Sequence, residues 1–148
     1  MKKIILLMLI GAMVIIAGCS SKSQVTGDAV IYKSISCGCC GVYSDYMKAR
    51  SSFNVAIDNS FDVSAIKEKY GVPSNLQSCH TTIMDKYFVE GHIPLEAIDK
   101  LMMDKPDIKG IAMPGMPSGA PGMPGTKSEP FIIYAVNNDG TYFEFMRM

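Results

Sequence analysis

The sequence predicts an α/β fold in a single domain. Short β-branched segments alternate with helical segments along the chain, and turn signals separate them. The part of the chain beyond residue 27 has about 120 residues, which is enough to bury one modest hydrophobic core. No internal repeat divides this part of the chain, so a second domain is not expected.

The first half of the domain is predicted to contain two strand–helix pairs. Residues 29–35 are rich in β-branched side chains and predict a strand, and the cysteine cluster that follows opens a helix that runs to Arg50. Residues 53–58 predict a second strand. Residues 62–70 carry apolar side chains at helical spacing and predict a short helix, which Gly71 ends because glycine is favoured just beyond a helix.

The second half is predicted to contain two hairpins and one helix. A hairpin over residues 81–90 turns at residues 85–86, and a helix over residues 94–103 begins with proline and ends before Pro106. A second hairpin over residues 131–145 turns through the sequence Asn-Asn-Asp-Gly. This order of elements, βαβαββα, is typical of a thioredoxin-like domain, to which a Met/Pro/Gly-rich loop and the C-terminal hairpin are added.

The N-terminal segment has the pattern of an export signal. Lys2 and Lys3 precede residues 4–16, which carry no charge and are too few to span a bilayer as a mature helix. The small residues that close on Cys19 resemble a bacterial lipobox, in which the cysteine is lipidated. We therefore expect a protein held to the membrane by its N-terminal lipid, on the extracytoplasmic or periplasmic face of the bacterial cell envelope. The predicted divisions are a lipoprotein signal peptide at 1–19, a polar tether at 20–27 and the thioredoxin-like domain at 28–148.

The charge of the chain excludes one class of partner. The chain has 14 basic and 14 acidic residues, and removal of Lys2 and Lys3 with the signal leaves an excess of acidic side chains. A nucleic-acid interface or a polybasic membrane surface would need the opposite balance. We therefore predict no nucleic-acid partner.

The chemistry of the domain is concentrated in its cysteines. Four cysteines remain once Cys19 is assigned to lipid, and in an oxidising compartment two disulfides are the simplest expectation, with three possible connectivities. Cys37, Cys39 and Cys40 are closely clustered, and adjacent cysteines cannot easily bond each other. At the start of a helix, backbone N–H groups and the helix dipole favour thiolate, which is both a metal ligand and a nucleophile.

The other candidate ligands follow along the chain. Cys79 and His80 are adjacent, His92 follows a predicted strand, and residues 113–125 contain three methionines among prolines and glycines. Thiolate, imidazole and thioether together form the ligand set that Cu(I) prefers, so we predict copper, as Cu(I) or Cu(II), ahead of zinc or silver. The alternatives are a disulfide or capping role for Cys79 and His80, a surface role for His92, and core packing for the loop methionines.

Several motifs carry a resemblance to a known family. They are Cys-Gly-Cys-Cys after a strand, Gly-Val-Pro at 71–73, Ser-Cys-His-Thr at 78–81, Tyr-Phe-Val-Glu-Gly-His-Ile-Pro at 87–94, and Gly-Ile-Ala-Met-Pro-Gly-Met-Pro at 110–117 with Pro-Gly-Met at 121–123. This arrangement resembles the CopG-like, thioredoxin-related metal-binding family, also known as domain of unknown function 411. The resemblance implies an exported copper-binding protein of bacterial metal-resistance systems, with redox cycling of copper or thiols. The metal ligands that it implies are Cys37, Cys39, Cys40, Cys79, His80, His92, Met116 and Met123.

We therefore predict a copper-binding protein for extracytoplasmic copper handling or resistance. Cys37, Cys39 and Cys40 would capture Cu(I) as thiolates, and His92 or His80 would complete the site. The Met/Pro/Gly-rich loop would shield the entrance or pass copper on to other copper-handling proteins of the cell envelope.

Two other functions remain open at this point. In the first, the chain is a thiol–disulfide oxidoreductase, in which Cys37 attacks a substrate disulfide and Cys40 resolves the mixed disulfide, so enzymatic activity is undecided. In the second, it is a binding lipoprotein stabilised by two unreactive disulfides. Non-reducing mass mapping separates the second from the others.

Overall fold

The computed structural model describes residues 25–59 and 62–148. In these residues seven strands, three α-helices and one short 3-10 helix follow one another. Their bounds are β1 Gly27–Lys33, α1 Gly38–Arg50, β2 Phe53–Asn59, α2 Val63–Tyr70, the 3-10 helix Ser74–Leu76, β3 His80–Met84, β4 Tyr87–Glu90, α3 Leu95–Asp104, β5 Gly110–Ala112, β6 Ile132–Val136 and β7 Tyr142–Arg147. None of the helices within the described ranges is long and apolar enough to cross a membrane.

All seven strands form one mixed sheet in the order β2-β1-β3-β4-β5-β6-β7. The pairs β1 with β2 and β4 with β5 are parallel, and the other neighbouring pairs are antiparallel. Lys33, the last residue of β1, lies opposite His80, the first residue of β3, and Thr81 lies opposite Glu90 at the end of β4. One end of the sheet therefore gathers the segment that leads into α1, the start of β3 and the end of β4.

The sheet is covered by buried side chains on both faces. A larger cluster joins α1 and α3 to the sheet, and a smaller one lies beside the 3-10 helix. The largest fully buried members of the first cluster are Ile31, Tyr43, Met47, Met84, Tyr87, Ile93, Ile98, Leu101, Ile111, Met113 and Ile133, and the buried members of the second are Val72, Leu76, Phe88, Ala112 and Val136. Burial of this apolar area is the main force that holds the helices on the sheet.

Local signals explain how the first two helices begin and end. Helix α1 begins after Cys37, whose side chain makes no capping hydrogen bond. Asp62 caps α2 conventionally, since its carboxylate accepts hydrogen bonds from the backbone N–H groups of Ser64 and Ala65 at 3.0 and 3.2 Å. Gly71 ends α2 in the left-handed conformation, with φ of 68°.

The predicted α/β class, the order of the first seven elements and the C-terminal hairpin are confirmed. The bounds of the first strand, predicted as 29–35, are wrong. Strand β1 begins at Gly27, because its pairing with β2 starts there, and it ends at Lys33. A turn closed by a hydrogen bond from Cys37 N to Ser34 O then carries the chain into α1.

Strand β5 was absent from the sequence prediction. It has only three residues, Gly-Ile-Ala, and all three are buried, so no alternation of polar and apolar side chains marks it. The predicted signal peptide, the lipobox and most of the tether lie outside the described residues.

Candidate metal centre

The cysteine cluster lies at the N-terminus of α1. Cys37 caps the helix, and Cys40 follows one helical turn later, which brings the two sulfur atoms to the same side. They form a disulfide whose Cα atoms are 5.4 Å apart. Cys40 is fully buried, whereas Cys37 is partly exposed. The cysteine nearer the solvent is thus the N-terminal one of the pair.

Cys39 and Cys79 are free cysteines. The expectation of two disulfides is therefore wrong, since the described residues contain one. The Cys39 Sγ lies 3.5 Å from the Cys37 Sγ, and the sulfur atoms of Cys37, Cys39, Cys40 and Cys79 all lie within 4.8 Å of one another. The loop before β3 thus brings the fourth cysteine to the cluster.

A second group of ligand atoms shares Cys79. The Cys79 Sγ lies 3.3 Å from the His92 Nε2 and 3.6 Å from the His80 Nδ1, and the three residues form a grouping that could hold a metal ion. His80 is the first residue of β3, and His92 lies two residues beyond β4. Because β3 and β4 are antiparallel neighbours, the start of one and the end of the other meet at the same end of the sheet.

His92 is oriented by the Met/Pro/Gly-rich loop. Its Nδ1 lies 2.7 Å from the carbonyl oxygen of Pro121 and must donate there, because a carbonyl can only accept. Its Nε2 is then left with a lone pair directed toward Cys79. A histidine held through one ring nitrogen in this way presents the other to a metal ion. Burial lowers the pKa of His92, which keeps its imidazole neutral.

His80 has a buried ring nitrogen whose hydrogen-bonding capacity is unsatisfied among the described residues. Its ring is fully buried, and among the described residues no group forms a hydrogen bond with its Nε2. Burial, with smaller contributions from the neighbouring His92 and Lys67, lowers the pKa of His80 to about 3. A buried polar atom without a partner is costly. The His80 nitrogen that faces Cys79 is the other one, Nδ1, and in a neutral imidazole it can bind a metal ion. The donor set here therefore fits a soft or borderline metal ion.

Metal binding at Cys79 would have to displace a proton. Burial, with a smaller contribution from the neighbouring Cys39, raises the pKa of the Cys79 thiol to about 11. The metal-free thiol is therefore protonated near neutral pH. Because thiolate is the ligand, metal affinity at this residue would increase with pH.

Tyr43 forms the floor beneath both imidazoles. Its ring centroid lies 4.5 Å from that of His80 and 5.2 Å from that of His92. Its hydroxyl donates a hydrogen bond to the carbonyl oxygen of Ile93 at 2.9 Å. Tyr43 was not among the predicted site residues, although its place three residues after Cys40 on the same helix face is a signal for it.

A buried ion pair between Lys67 and Glu90 lies beside the site. Burial raises the pKa of Glu90, and hydrogen bonds to Lys67, Thr81 and Ser78 oppose that rise. Neither charged residue was among the predicted site residues. Glu90 lies two residues before His92 in an otherwise apolar strand, and this position could have predicted that it lies near the site. No feature of the sequence predicts the same for Lys67.

The Met/Pro/Gly-rich loop crosses the N-terminus of α1 through its backbone. Gly122 packs so closely that a Cβ added there would lie 2.7 Å from the Tyr43 nitrogen. The predicted ligands in this loop lie in two environments. Met116 is 41% exposed, and Met123 packs against the larger buried cluster. The contacts that join this loop to the site come from Pro121 and Gly122, so thioether coordination by Met116 and Met123 stays a prediction.

The structure thus brings six of the predicted metal ligands together, while their binding of metal stays a prediction. They are Cys37, Cys39, Cys40, Cys79, His80 and His92. The predicted lipidation site, Cys19, lies outside the described residues.

Residues 76–123, which include Cys79, His80 and His92, match a family model described as a protein of unknown function, DUF411. No curated protein matches the chain.

Two solved structures are similar, and both are of a copper resistance protein, CopG. Form 2 is 33% identical, with a TM-score of 0.76, and the match covers 84% of this chain and 99% of that one. Form 1 is 34% identical, with a TM-score of 0.75, and the match covers 82% of this chain and 96% of that one. At this identity and coverage, the chain belongs to the CopG-like copper-resistance family.

Proposed function

We propose that this chain is an exported, lipid-anchored protein that binds Cu(I) for extracytoplasmic copper handling or resistance. The observation that carries the proposal is the convergence of four cysteine sulfur atoms within 4.8 Å of one another, next to two buried imidazoles. The similarity to structures of a copper resistance protein supports copper as the metal.

The ligand chemistry favours a soft ion. Both groupings of potential ligands found in the described ranges consist of cysteine sulfur atoms and imidazole nitrogens. Such a set excludes Mg²⁺ and Ca²⁺, which require oxygen ligands, and suits Cu(I) or zinc. The number of sulfur atoms favours Cu(I), and zinc and silver are the competitors that a binding experiment has to include.

The oxidation state of the cysteines controls how many ligands are available. With the Cys37–Cys40 disulfide formed, Cys39 and Cys79 are the two remaining thiols of the site. Reduction of the disulfide by two electrons from a thiol donor provides two more. We therefore expect Cu(I) to be bound with full affinity by the reduced protein.

We also propose that the core of the domain is thioredoxin-like. The strand order β2-β1-β3-β4, with β1 parallel to β2 and antiparallel to β3, supports a thioredoxin-like core in which the cysteines lie between the first strand and helix. We propose that the Met/Pro/Gly-rich loop shields this site and that Met116 and Met123 pass copper to partner proteins of the cell envelope. The position of Pro121 and Gly122 over the site supports the shielding role.

A Cu(I) competition titration tests the proposed function. The protein is reduced and handled without oxygen, and its affinity is compared with that of a variant in which Cys37, Cys39 and Cys40 are serine. We expect the triple variant to lose Cu(I) affinity by far more than tenfold, because three soft ligands are removed. A Ser34→Ala, Ser36→Ala variant alters the same exposed turn without removing sulfur and is the control. Equal affinity of the triple variant and the wild type would overturn the proposal.

The Cys37–Cys40 disulfide favours a second candidate, a thiol–disulfide oxidoreductase. The Cys37 thiolate would attack one sulfur of a substrate disulfide and form a mixed disulfide, and the other substrate sulfur would leave as a thiolate. The Cys40 thiolate would then attack the Cys37 sulfur, release the second substrate thiolate and form the disulfide seen here. The substrate gains the two electrons that the cysteine pair loses.

Trapping of the mixed disulfide tests this candidate. A Cys40→Ser variant cannot resolve the intermediate, so it should accumulate a covalent adduct with a peptide disulfide, whereas a Cys39→Ser variant should not. If the reduced wild type leaves the peptide disulfide intact, the oxidoreductase candidate fails.

A further inference from the structure

The buried ion pair beside the site is part of a larger polar network. Glu90 Oε1 accepts hydrogen bonds from Lys67 Nζ and from the backbone N–H of Ser78, the latter at 2.6 Å. Glu90 Oε2 accepts from the Thr81 hydroxyl at 2.6 Å, and Lys67 Nζ also donates to Thr81 Oγ1 at 3.0 Å. The side chains of Lys67, Thr81 and Glu90 are all buried.

This network binds the two residues that flank the candidate ligands Cys79 and His80. Ser78 immediately precedes Cys79, and Thr81 immediately follows His80, so one carboxylate fixes the chain on either side of the Cys79–His80 dipeptide. The backbone N–H of Gly91 also donates to the carbonyl oxygen of His80 at 3.1 Å. The residue that follows Glu90 is thereby tied to the same dipeptide through its main chain.

The network is also connected to His92, the third candidate ligand, through the backbone that follows Glu90. Gly91 is the single residue between Glu90 and His92. Gly91 has φ of 84°, and a Cβ added there would lie 2.7 Å from the Met113 carbonyl oxygen, so the turn into His92 has little freedom. A fixed Glu90 therefore also fixes the start of this turn.

Stability alone does not explain a buried ion pair at this place. Burial of two charges costs about as much as their attraction returns, and apolar residues of the same volume would often stabilise a fold as well or better. What a fully hydrogen-bonded ion pair provides is a defined geometry. Here that geometry is imposed on the segment that carries Cys79 and His80.

We propose that Glu90, held by Lys67 and Thr81, is a positioning residue that sets the geometry of Cys79 and His80 for metal. Both of its carboxylate oxygens accept hydrogen bonds from the protein, so it acts through these neighbours rather than as a ligand. The inference rests on the proposed function, and it adds a second layer of residues to that site.

The two adjacent threonines of β3 provide a matched test. Thr81 and Thr82 are both fully buried, but Thr81 belongs to the network, whereas Thr82 Oγ1 has no hydrogen-bond partner among the described residues. Thr81→Val keeps the volume and removes the hydroxyl from the network, and Thr82→Val makes the same change outside it. Thr81→Ser keeps the hydroxyl and removes only a methyl group. Glu90→Gln removes the charge and is the stronger perturbation.

Two readouts are measured on reduced protein purified from cells that express the full chain. The first is Cu(I) affinity by competition with a chromophoric chelator, and the second is the rate at which iodoacetamide alkylates Cys79 in the metal-free protein. We expect Thr81→Val and Glu90→Gln to lose Cu(I) affinity by about tenfold or more, which is typical when a residue behind a ligand is changed. We expect Cys79 to be alkylated several-fold faster in both variants, because the segment around it is released. Thr81→Ser and Thr82→Val should match the wild type in both readouts.

When the wild type binds Cu(I), the proposal is overturned if Thr81→Val matches the wild type in either readout, or if Thr82→Val changes as much as Thr81→Val. A loss of thermal stability in Thr81→Val without a change in affinity and alkylation would also overturn it. If Glu90→Gln does not fold, Thr81→Val and Thr81→Ser decide the question. If the wild type itself binds no Cu(I), the proposed function fails, and the alkylation rates alone test the positioning role.

Discussion

His92 Nδ1 donates a hydrogen bond to the carbonyl oxygen of Pro121 across 2.7 Å. This bond joins a candidate ligand to the loop that lies over it, and it fixes which ring nitrogen faces Cys79. The loop therefore does more than cover the site, since it selects the tautomer that can bind metal. The next residue of the loop, Gly122, is the one that packs on α1.

We predict that Gly122→Ala weakens Cu(I) binding. An alanine Cβ would lie 2.7 Å from the Tyr43 nitrogen, so the loop must move away and Pro121 must release or reorient His92. Left-handed backbone at φ of 80° adds strain of about 1–2 kcal/mol for any residue with a Cβ. Cu(I) titration and thermal unfolding measure the two effects.

Gly115→Ala is the control for this prediction. Gly115 has nearly the same φ, 81°, but a Cβ there would meet nothing within 4 Å. The Gly115→Ala variant should be destabilised by backbone strain to a similar degree as Gly122→Ala, but it should keep wild-type Cu(I) affinity. Equal affinity of the two variants would contradict a role for loop packing in the site.

Much of the architecture follows from the sequence because its signals are local. The β-branched segment before the cysteines, the apolar spacing that Gly71 ends and the Asn-Asn-Asp-Gly turn each specify an element without reference to the rest of the chain. Strand β5 depends instead on pairing with β4 and β6, and three buried residues carry no local signal.

The site is only partly predictable for a similar reason. The residue types identify Cys37, Cys39 and Cys40 as a reactive cluster, but which of them pair depends on how α1 leaves β1. The pairing of Lys67 with Glu90 depends on α2 packing against β1 and β3, which no spacing in the sequence reveals. Contacts between distant segments are fixed by packing, and a single sequence records packing only indirectly.

We predict that the stability of the metal-free protein depends on pH through His80. Burial lowers the pKa of His80 to about 3, from the ordinary value of 6.5, so between these values the unfolded chain binds a proton that the folded protein does not. The contribution of His80 to the free energy of unfolding should therefore be fully present above about pH 6.5, and the free energy should fall as the pH decreases toward 3. For one such proton, the free energy of unfolding changes by about 1.4 kcal/mol per pH unit between the two pKa values.

Urea unfolding of the wild type and His80→Gln across this range measures the effect. Glutamine does not titrate, so the variant should show a shallower dependence on pH, and the difference between the curves isolates His80 from other groups such as Glu90. Parallel curves would contradict a buried neutral imidazole at this position.

We predict that Tyr43→Phe destabilises the protein by about 1–3 kcal/mol and leaves Cu(I) affinity near that of the wild type. The variant keeps the ring that packs against His80 and His92 but leaves the carbonyl oxygen of Ile93 without its buried donor. Tyr46→Phe is the control, because the Tyr46 hydroxyl accepts from Leu95 N–H at a half-buried position and its loss should cost less. Urea denaturation that ranks the two variants in the opposite order would contradict a buried hydrogen bond from the Tyr43 hydroxyl to the Ile93 carbonyl oxygen.

We predict that the two remaining thiols of the oxidised protein differ in reactivity. Alkylation without reductant should modify Cys39 and Cys79 and leave Cys37 and Cys40 unmodified, because the latter pair is joined. Cys39 should react faster than Cys79, since burial raises the pKa of the Cys79 thiol to about 11 and the thiolate is the reacting species. Mass mapping after digestion should show the Cys37–Cys40 peptide two hydrogens lighter than its reduced form. A second disulfide between Cys39 and Cys79 would contradict this prediction, and it would favour a protein in which the cysteines only stabilise the fold.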